Sequence, residues 1–136
     1  MSILTNILLL FFFAELSHQK EIGYMHRLLC KTSTHWCVSI NIKQLNGVFR
    51  QDNVRRPGLQ CLHSHGFTDL QTGHAFLKNS KDNSQMLVTI QHNCTRNGEI
   101  RSITNQYAES KGPIRKTTRN ILKTIDDEGE YSSKWN

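Results

Sequence analysis

The side chains with the clearest chemical potential in this sequence are histidines. Seven are spread over the 136 residues. His63 and His65 are two residues apart, so on a β-strand both imidazoles point to the same face. A third imidazole, such as His92 or His74, would complete a metal site with open coordination positions. The competing interpretation makes His63 and His65 solvent-facing residues of an edge strand and His92 a hydrogen-bonded residue at the edge of the core. We favour it and expect neither a metal nor a cofactor.

Four cysteines, Cys30, Cys37, Cys61 and Cys94, form the second group. No pair has the close spacing typical of zinc ligands. In an oxidising compartment an even number predicts two disulfide bonds, for which three connectivities exist. If the strands that begin at Cys37 and end at Cys94 are antiparallel neighbours, these two cysteines could pair. Cys61 is expected at the opposite end of its sheet from Cys37, without an evident partner.

A basic segment, residues 111–123, carries five cations and no acidic residue. On a strand Arg115, Thr117 and Arg119 share one face. Arg115, Lys116 and Arg119 are therefore candidates for binding an anionic glycan or phospholipid surface. The alternative is a solvated face that keeps a protein of net charge +6 soluble. Arg50, Arg55 and Arg56 form a second basic cluster, in a predicted loop.

The N-terminus predicts export. Ile7 to Ala14 is an unbroken apolar run, too short for a typical membrane-spanning helix but suited to a signal peptide. We predict a signal peptide over 1–17, with no distinct cleavage motif, and a single domain over 18–136. An uncleaved anchor or a buried N-terminal strand is the alternative. The mature chain has no second spanning stretch and is expected to be secreted, so its partners would be an extracellular protein, glycan or lipid, and nucleic acid is excluded.

Asn93-Cys94-Thr95 is an acceptor triplet for N-glycosylation. In a chain that enters the secretory pathway, Asn93 is therefore a candidate modification site. An unmodified turn is the alternative.

Alternation of apolar and polar residues predicts the elements that position these side chains. Strands are expected at 22–30, 37–43, 59–67, 85–94, 99–107 and 117–125. Asp69–Gly73 is predicted to be a turn before a short strand at 74–77, and residues 120–128 could instead include one turn of helix. Seven or eight short strands over this length predict an all-β, immunoglobulin-like antiparallel sandwich.

Four ordered segments, 24–30, 37–45, 67–77 and 87–94, resemble the nematode transthyretin-like family of secreted proteins. Tyr24-Met-His-Arg-Leu-Leu-Cys30 is similar to the family's opening strand, and Leu87-Val-Thr-Ile-Gln-His-Asn-Cys94 to its Leu-x-Ile-x-His-x-Cys strand. The chain resembles a divergent member, because His26 replaces the family glycine before Arg27. The resemblance implies a transthyretin-type sandwich of two four-stranded sheets in which Cys30 pairs with Cys94.

The resemblance also bears on function, because most members of that family have no established activity. It implies a non-enzymatic carrier or bridging protein that recognises an anionic or hydrophobic ligand or a cell-surface partner; homo-oligomers are an open option. The enzymatic alternative is a hydrolase, of the hydroxyisourate type or metal-assisted, that uses the histidines. The related hydroxyisourate hydrolases end in Tyr-Arg-Gly-Ser, whereas residues 130–136 here contain a tyrosine and serines but no Arg-Gly. Without that arginine an anionic substrate lacks its bidentate partner.

Overall fold

The protein is described here from a computed structural model that defines residues 6–10, 21–46, 50–55, 58–76, 85–108 and 116–136. Nine strands lie in these ranges. They are β1 (Glu21–Leu29), β2 (His35–Asn46), β3 (Arg50–Arg55), β4 (Leu59–His63), β5 (Thr68–Phe76), β6 (Gln85–His92), β7 (Ile100–Ala108), β8 (Lys116–Thr124) and β9 (Glu130–Ser132).

The strands form two sheets, which confirms the predicted all-β sandwich. The first sheet has the order β5-β1-β8, and the second has the order β3-β2-β6-β7-β9 with β4 also paired to β2. In the described chain this gives three and six strands, not the two four-stranded sheets that the family resemblance implies. The second sheet gains a strand because β2 is 12 residues long. Its first half pairs with β4 and its second half with β3 along the same edge.

The core lies between the two sheets and follows the predicted alternation. On β2 the inward residues Val38, Ile40 and Ile42 are buried. On β6 the even-numbered residues from Met86 to His92 are buried in the same way, and on β1 Tyr24 and Leu28 face the core. β-Branched and aromatic side chains suit a pleated surface with one face in the core. The alternation of apolar and polar residues in the local sequence therefore indicates which side chains of these three strands face the core.

The predicted turn at Asp69–Gly73 is wrong, because this segment belongs to the continuous strand β5. The register pairs Gly23 with His74 and Met25 with Gln71, so β5 has one more residue than β1 in this interval. That extra residue makes a β-bulge, a feature at which a glycine inside a strand is common. Gly73 therefore marks a bulge in the strand and not its beginning.

Strand β8 runs parallel to β1, with Tyr24 opposite Arg119 and Leu28 opposite Lys123. The helical turn considered for 120–128 does not form, because Asn120 to Thr124 are held in this ladder. The chain leaves β8 through a turn at 126–127. There the backbone N–H of Asp127 donates to the carbonyl of Cys94, so the end of β8 is tied to the end of β6.

Residues 6–10 are helical and their side chains are exposed, which does not fit a buried N-terminal strand over these positions. Among the residues that the structure describes, no helix is both long enough and apolar enough to cross a membrane.

Candidate functional site

Two disulfide bonds join the four cysteines. Cys30 bonds to Cys94, the pair that the family resemblance implies, with a Cα–Cα distance of 5.8 Å. Both residues are buried, Cys30 just after β1 and Cys94 just after β6, so this bond joins the two sheets through the core. Disulfides are typical of proteins in oxidising compartments, and the two bonds are compatible with an extracellular protein.

The second bond joins Cys37 to Cys61, so the alternative pair Cys37–Cys94 is wrong. β2 and β6 are indeed antiparallel neighbours, and the backbone N–H of Asn93 donates to the carbonyl of Cys37. Cys37, however, alternates with the core residues of β2 and faces outward, whereas Cys94 faces inward. The sheet therefore separates their sulfur atoms. Cys61 lies directly opposite Cys37 on β4, not at the far end of the sheet.

His92 is a core residue with both ring nitrogens engaged. It is completely buried, its Nε2 lies 2.9 Å from the carbonyl oxygen of Glu128, and its Nδ1 accepts from the backbone N–H of Cys94. Since a carbonyl only accepts, Nε2 carries the proton and the ring is neutral. Burial lowers the pKa of His92 and outweighs the opposing effect of the Glu128 carbonyl. His92 therefore has no lone pair left for a metal.

The weak alternative site of His63, His65 and His92 is accordingly not assembled. The donor atoms of these three described residues do not lie within 4.8 Å of one another. His63 and His65 are exposed, as the competing interpretation predicts, with ring centroids 5.9 Å apart. The histidine that does lie beside His63 is His35, at a centroid distance of 3.9 Å.

Sequence reasoning missed His35, although the sequence holds a signal for it. Cys37 opposite Cys61 fixes the register of β2 and β4, and two residues further along each strand are His35 and His63. Assigning the second disulfide correctly would have predicted this cross-strand pair. The pair and His65 form what we term the histidine cluster: His35, His63 and His65.

Asp126 holds the loop after β1 against the turn after β8. Its Oδ1 accepts hydrogen bonds from the backbone N–H groups of Lys31 and Thr32 and from the Thr32 hydroxyl. Partial burial opposes ionisation, but these bonds outweigh it and lower the pKa of Asp126. Cys30, Cys94 and Asp126 are close enough to resemble a metal site. The sulfur atoms of Cys30 and Cys94 are bonded to each other, however, so no thiolate is available and the cluster is structural.

The candidate anion-binding residues differ in their surroundings. Arg119 places its guanidinium 4.9 Å from the centroid of the Tyr107 ring and donates to the carbonyl of Ala108. It thus connects the edge of the first sheet to β7 of the second. Lys116 lies on β8 three positions away, an odd number, so alternation assigns the two positions to opposite faces. Arg115 lies outside the described residues. The basic segment is therefore not one uniform stripe within the described chain.

Asn93 lies just after β6 and is half-buried. Its side-chain Oδ1 accepts from the backbone N–H of Cys37 at 2.6 Å. The next two residues of the acceptor triplet, Cys94 and Thr95, are buried, and the Thr95 hydroxyl donates to the carbonyl of Glu99. Modification of Asn93 stays a prediction.

His26 is a titratable group to which the sequence patterns assigned no chemical role. It is completely buried on β1, and its ring lies 5.9 Å from that of Tyr24. Within the described chain neither ring nitrogen has a hydrogen-bond partner. Burial lowers the pKa of His26 to about 4, so the ring is neutral at pH 7. An unpartnered buried polar group costs roughly 1–3 kcal/mol of stability.

Comparison with known proteins adds no assignment to this geometry: the chain matches no protein-family model, no curated protein and no solved structure.

Proposed function

We propose that the protein is a secreted, non-enzymatic binding protein of the transthyretin-like type, acting outside the cell as a carrier or bridging molecule. Three observations support this proposal: the apolar N-terminal run, the ordered resemblance of four segments, and two disulfide bonds, one through a thin core and one between neighbouring strands. Small secreted domains with modest cores commonly depend on such bonds. The partner would be an extracellular protein, glycan or lipid.

The observation that carries the binding surface is the fixed guanidinium of Arg119. Its face packs on Tyr107 and one N–H group donates to Ala108, which leaves other N–H groups of the same cation for a ligand. A cation already held in place loses little conformational entropy when an anion binds. Arg115 and Lys116 belong to the same basic segment of the sequence and add to its positive charge. We assign an anionic ligand, such as a sulfated glycan or an acidic phospholipid headgroup, to this end of β8.

Retention on heparin and on acidic liposomes tests this assignment. The triple variant Arg115→Gln, Lys116→Gln, Arg119→Gln is expected to elute from heparin at lower salt than the wild type. The matched control is Arg50→Gln, Arg55→Gln, Arg56→Gln, which removes the same charge from the other basic cluster. Equal losses in both variants would mean that retention follows net charge and would overturn a site on β8.

Export and glycosylation need a separate experiment. Expression in a eukaryotic secretory host should release the protein into the medium with its N-terminus near residue 18, read by N-terminal sequencing. Treatment with a glycosidase that removes N-glycans should increase the mobility of wild-type protein but not that of Asn93→Gln. Retention of residues 1–17 on a cell-associated product would contradict the predicted signal peptide.

A further inference from the structure

The outward face of the β2–β4 ribbon brings two imidazoles together across the strands. His35 lies directly opposite His63, and the backbone N–H of the adjacent Ser64 donates to the carbonyl of Thr34. The Thr34–Ser64 pair is hydrogen-bonded, so the neighbouring His35–His63 pair is of the non-hydrogen-bonded type. In such pairs the side chains are closest. The two rings lie edge to face, with centroids 3.9 Å apart.

The scaffold under this pair is rigid. The Cys37–Cys61 bond lies on the same outward face, two residues along each strand from His35 and His63. It links β2 to β4 and fixes their register. On the opposite face the side chain of Trp36 is buried in the core. Leu62, which lies opposite Trp36, packs against the same core. A ligand that bridges His35 and His63 would therefore meet two backbones already held at the required spacing.

The ring nitrogens are available to such a ligand. Both histidines are exposed, and among the described residues the one side chain within hydrogen-bond distance of their ring nitrogens is Thr34, whose Oγ1 lies 3.2 Å from Nδ1 of His35. Metal-bound histidines commonly engage their second nitrogen in this way, which fixes the ring and leaves Nε2 to coordinate. His65, in the bend after β4, is exposed, with its ring centroid 5.9 Å from that of His63. The nitrogens of the three rings are not all within 4.8 Å of one another, so His65 must rotate to join the pair.

We propose that the histidine cluster binds a divalent transition-metal ion, with His35 and His63 as the principal ligands and His65 as the third. Imidazole nitrogen suits Cu(II), Zn(II) and Ni(II), whereas Mg(II) and Ca(II) require oxygen ligands. Among these ions Cu(II) should bind most tightly to a site of this composition. Three imidazoles leave at least one coordination position open to water or to a partner's side chain.

Calorimetric titration of the oxidised, tag-free protein with Cu(II) and Zn(II) tests the site. Wild type should bind one ion, more tightly for Cu(II). The variants His35→Ala and His63→Ala should each weaken binding about tenfold or more, and His65→Ala should weaken it less, because a metal loses one ligand in each case. All three positions are exposed, and circular dichroism would verify that the variants fold.

Histidines elsewhere in the sequence provide the matched controls. His74→Ala should bind metal as the wild type does. Binding that is unchanged in His35→Ala and His63→Ala, or lost in His74→Ala, would overturn the proposal, as would the absence of stoichiometric binding by wild type. In a second measurement, substoichiometric Cu(II) should broaden the ring resonances of His35 and His63 while those of the buried His26 and His92 stay sharp. Uniform broadening would also contradict the assigned site.

Discussion

Arg119 lies with its guanidinium over the ring of Tyr107, 4.9 Å from the ring centroid, and so joins the edge strand of one sheet to a strand of the other. Because the same side chain also donates to the carbonyl of Ala108, it has a structural role whether or not it binds a ligand. The candidate anion site is therefore built on a residue that also holds the sandwich together.

A double-mutant cycle measures that role. In the cycle that combines Tyr107→Leu with Arg119→Gln, the coupling energy should be about 1 kcal/mol, because leucine removes the aromatic face beneath the cation. In the cycle that uses Tyr107→Phe, the coupling energy should be much smaller, since the phenyl ring still offers a face to the guanidinium. The measurement is urea unfolding of wild type, each Tyr107 variant, Arg119→Gln and the double variants. Zero coupling in the leucine cycle would rule out an energetic contact between these side chains.

His26 should make the fold sensitive to acid. Its pKa is lowered by burial from 6.5 to about 4. The unfolded chain therefore takes up the proton at a higher pH than the folded chain does. Stability should fall as the pH drops from about 6.5 towards 4, by roughly 3 kcal/mol from this group. Unfolding free energies measured between pH 7 and pH 4.5 would show the slope.

The variant His26→Leu assigns that slope to the residue. Leucine fills a similar volume without buried nitrogens, so the variant should be more stable than wild type at pH 5 and should show a shallower pH dependence. A slope unchanged in His26→Leu would place the acid sensitivity at another group.

The two disulfide bonds should contribute different amounts to the stability of the fold. Peptide mapping without reduction should recover Cys30 linked to Cys94 and Cys37 linked to Cys61. The first bond spans 64 residues of sequence and the second 24. Loop-closure entropy alone gives about 4 and about 3.5 kcal/mol for them. The double alanine variant of Cys30 and Cys94 should lose more stability than that of Cys37 and Cys61, since it also empties part of the core. The reverse order, measured by thermal unfolding, would contradict this assignment.

Gly129 is required by its surroundings as well as by its backbone. Its φ is +100°, and a Cβ built there would lie 2.6 Å from the carbonyl oxygen of Ser102. Gly129→Ala should cost about 2–4 kcal/mol, because both the backbone conformation and the contact are unfavourable. Gly98→Ala is the matched control: φ is +75° and nothing lies within 4 Å, so only the backbone cost, about 1 kcal/mol, applies. Equal losses in the two variants would exclude a steric role for Ser102.

The local alternation of side chains was sufficient to predict the fold class and the apolar, inward faces of β2 and β6. It could also have excluded the Cys37–Cys94 pair, since Cys37 alternates with the inward Val38 and Cys94 follows the parity of the inward His92. The position of β4 beside β2 was out of reach, because pairing between distant segments leaves no local pattern. That missing pairing concealed the partner of Cys61, and with it the approach of His35 to His63.

The environment of Arg119 was equally hidden from the sequence. A run of cations predicts a charged surface, but it does not reveal an aromatic ring supplied by another sheet. Tyr107 belongs to β7 and Arg119 to β8, and the two strands lie in different sheets. Only the packing of the sandwich shows that one cation of the run is held in place.

The parallel pairing of β1 with β8 has a consequence for synthesis of the chain. Among the described strands, β1 leaves the ribosome first and β8 is separated from it by six intervening strands. Until residues 116–124 have emerged, the β1 edge that β8 will occupy stays unpaired, and unpaired edges invite association with other chains. Such non-local pairings also form slowly. The nascent protein therefore cannot complete its first sheet before β8 has emerged, and we expect aggregation to be most favourable in the interval before β8 pairs with β1.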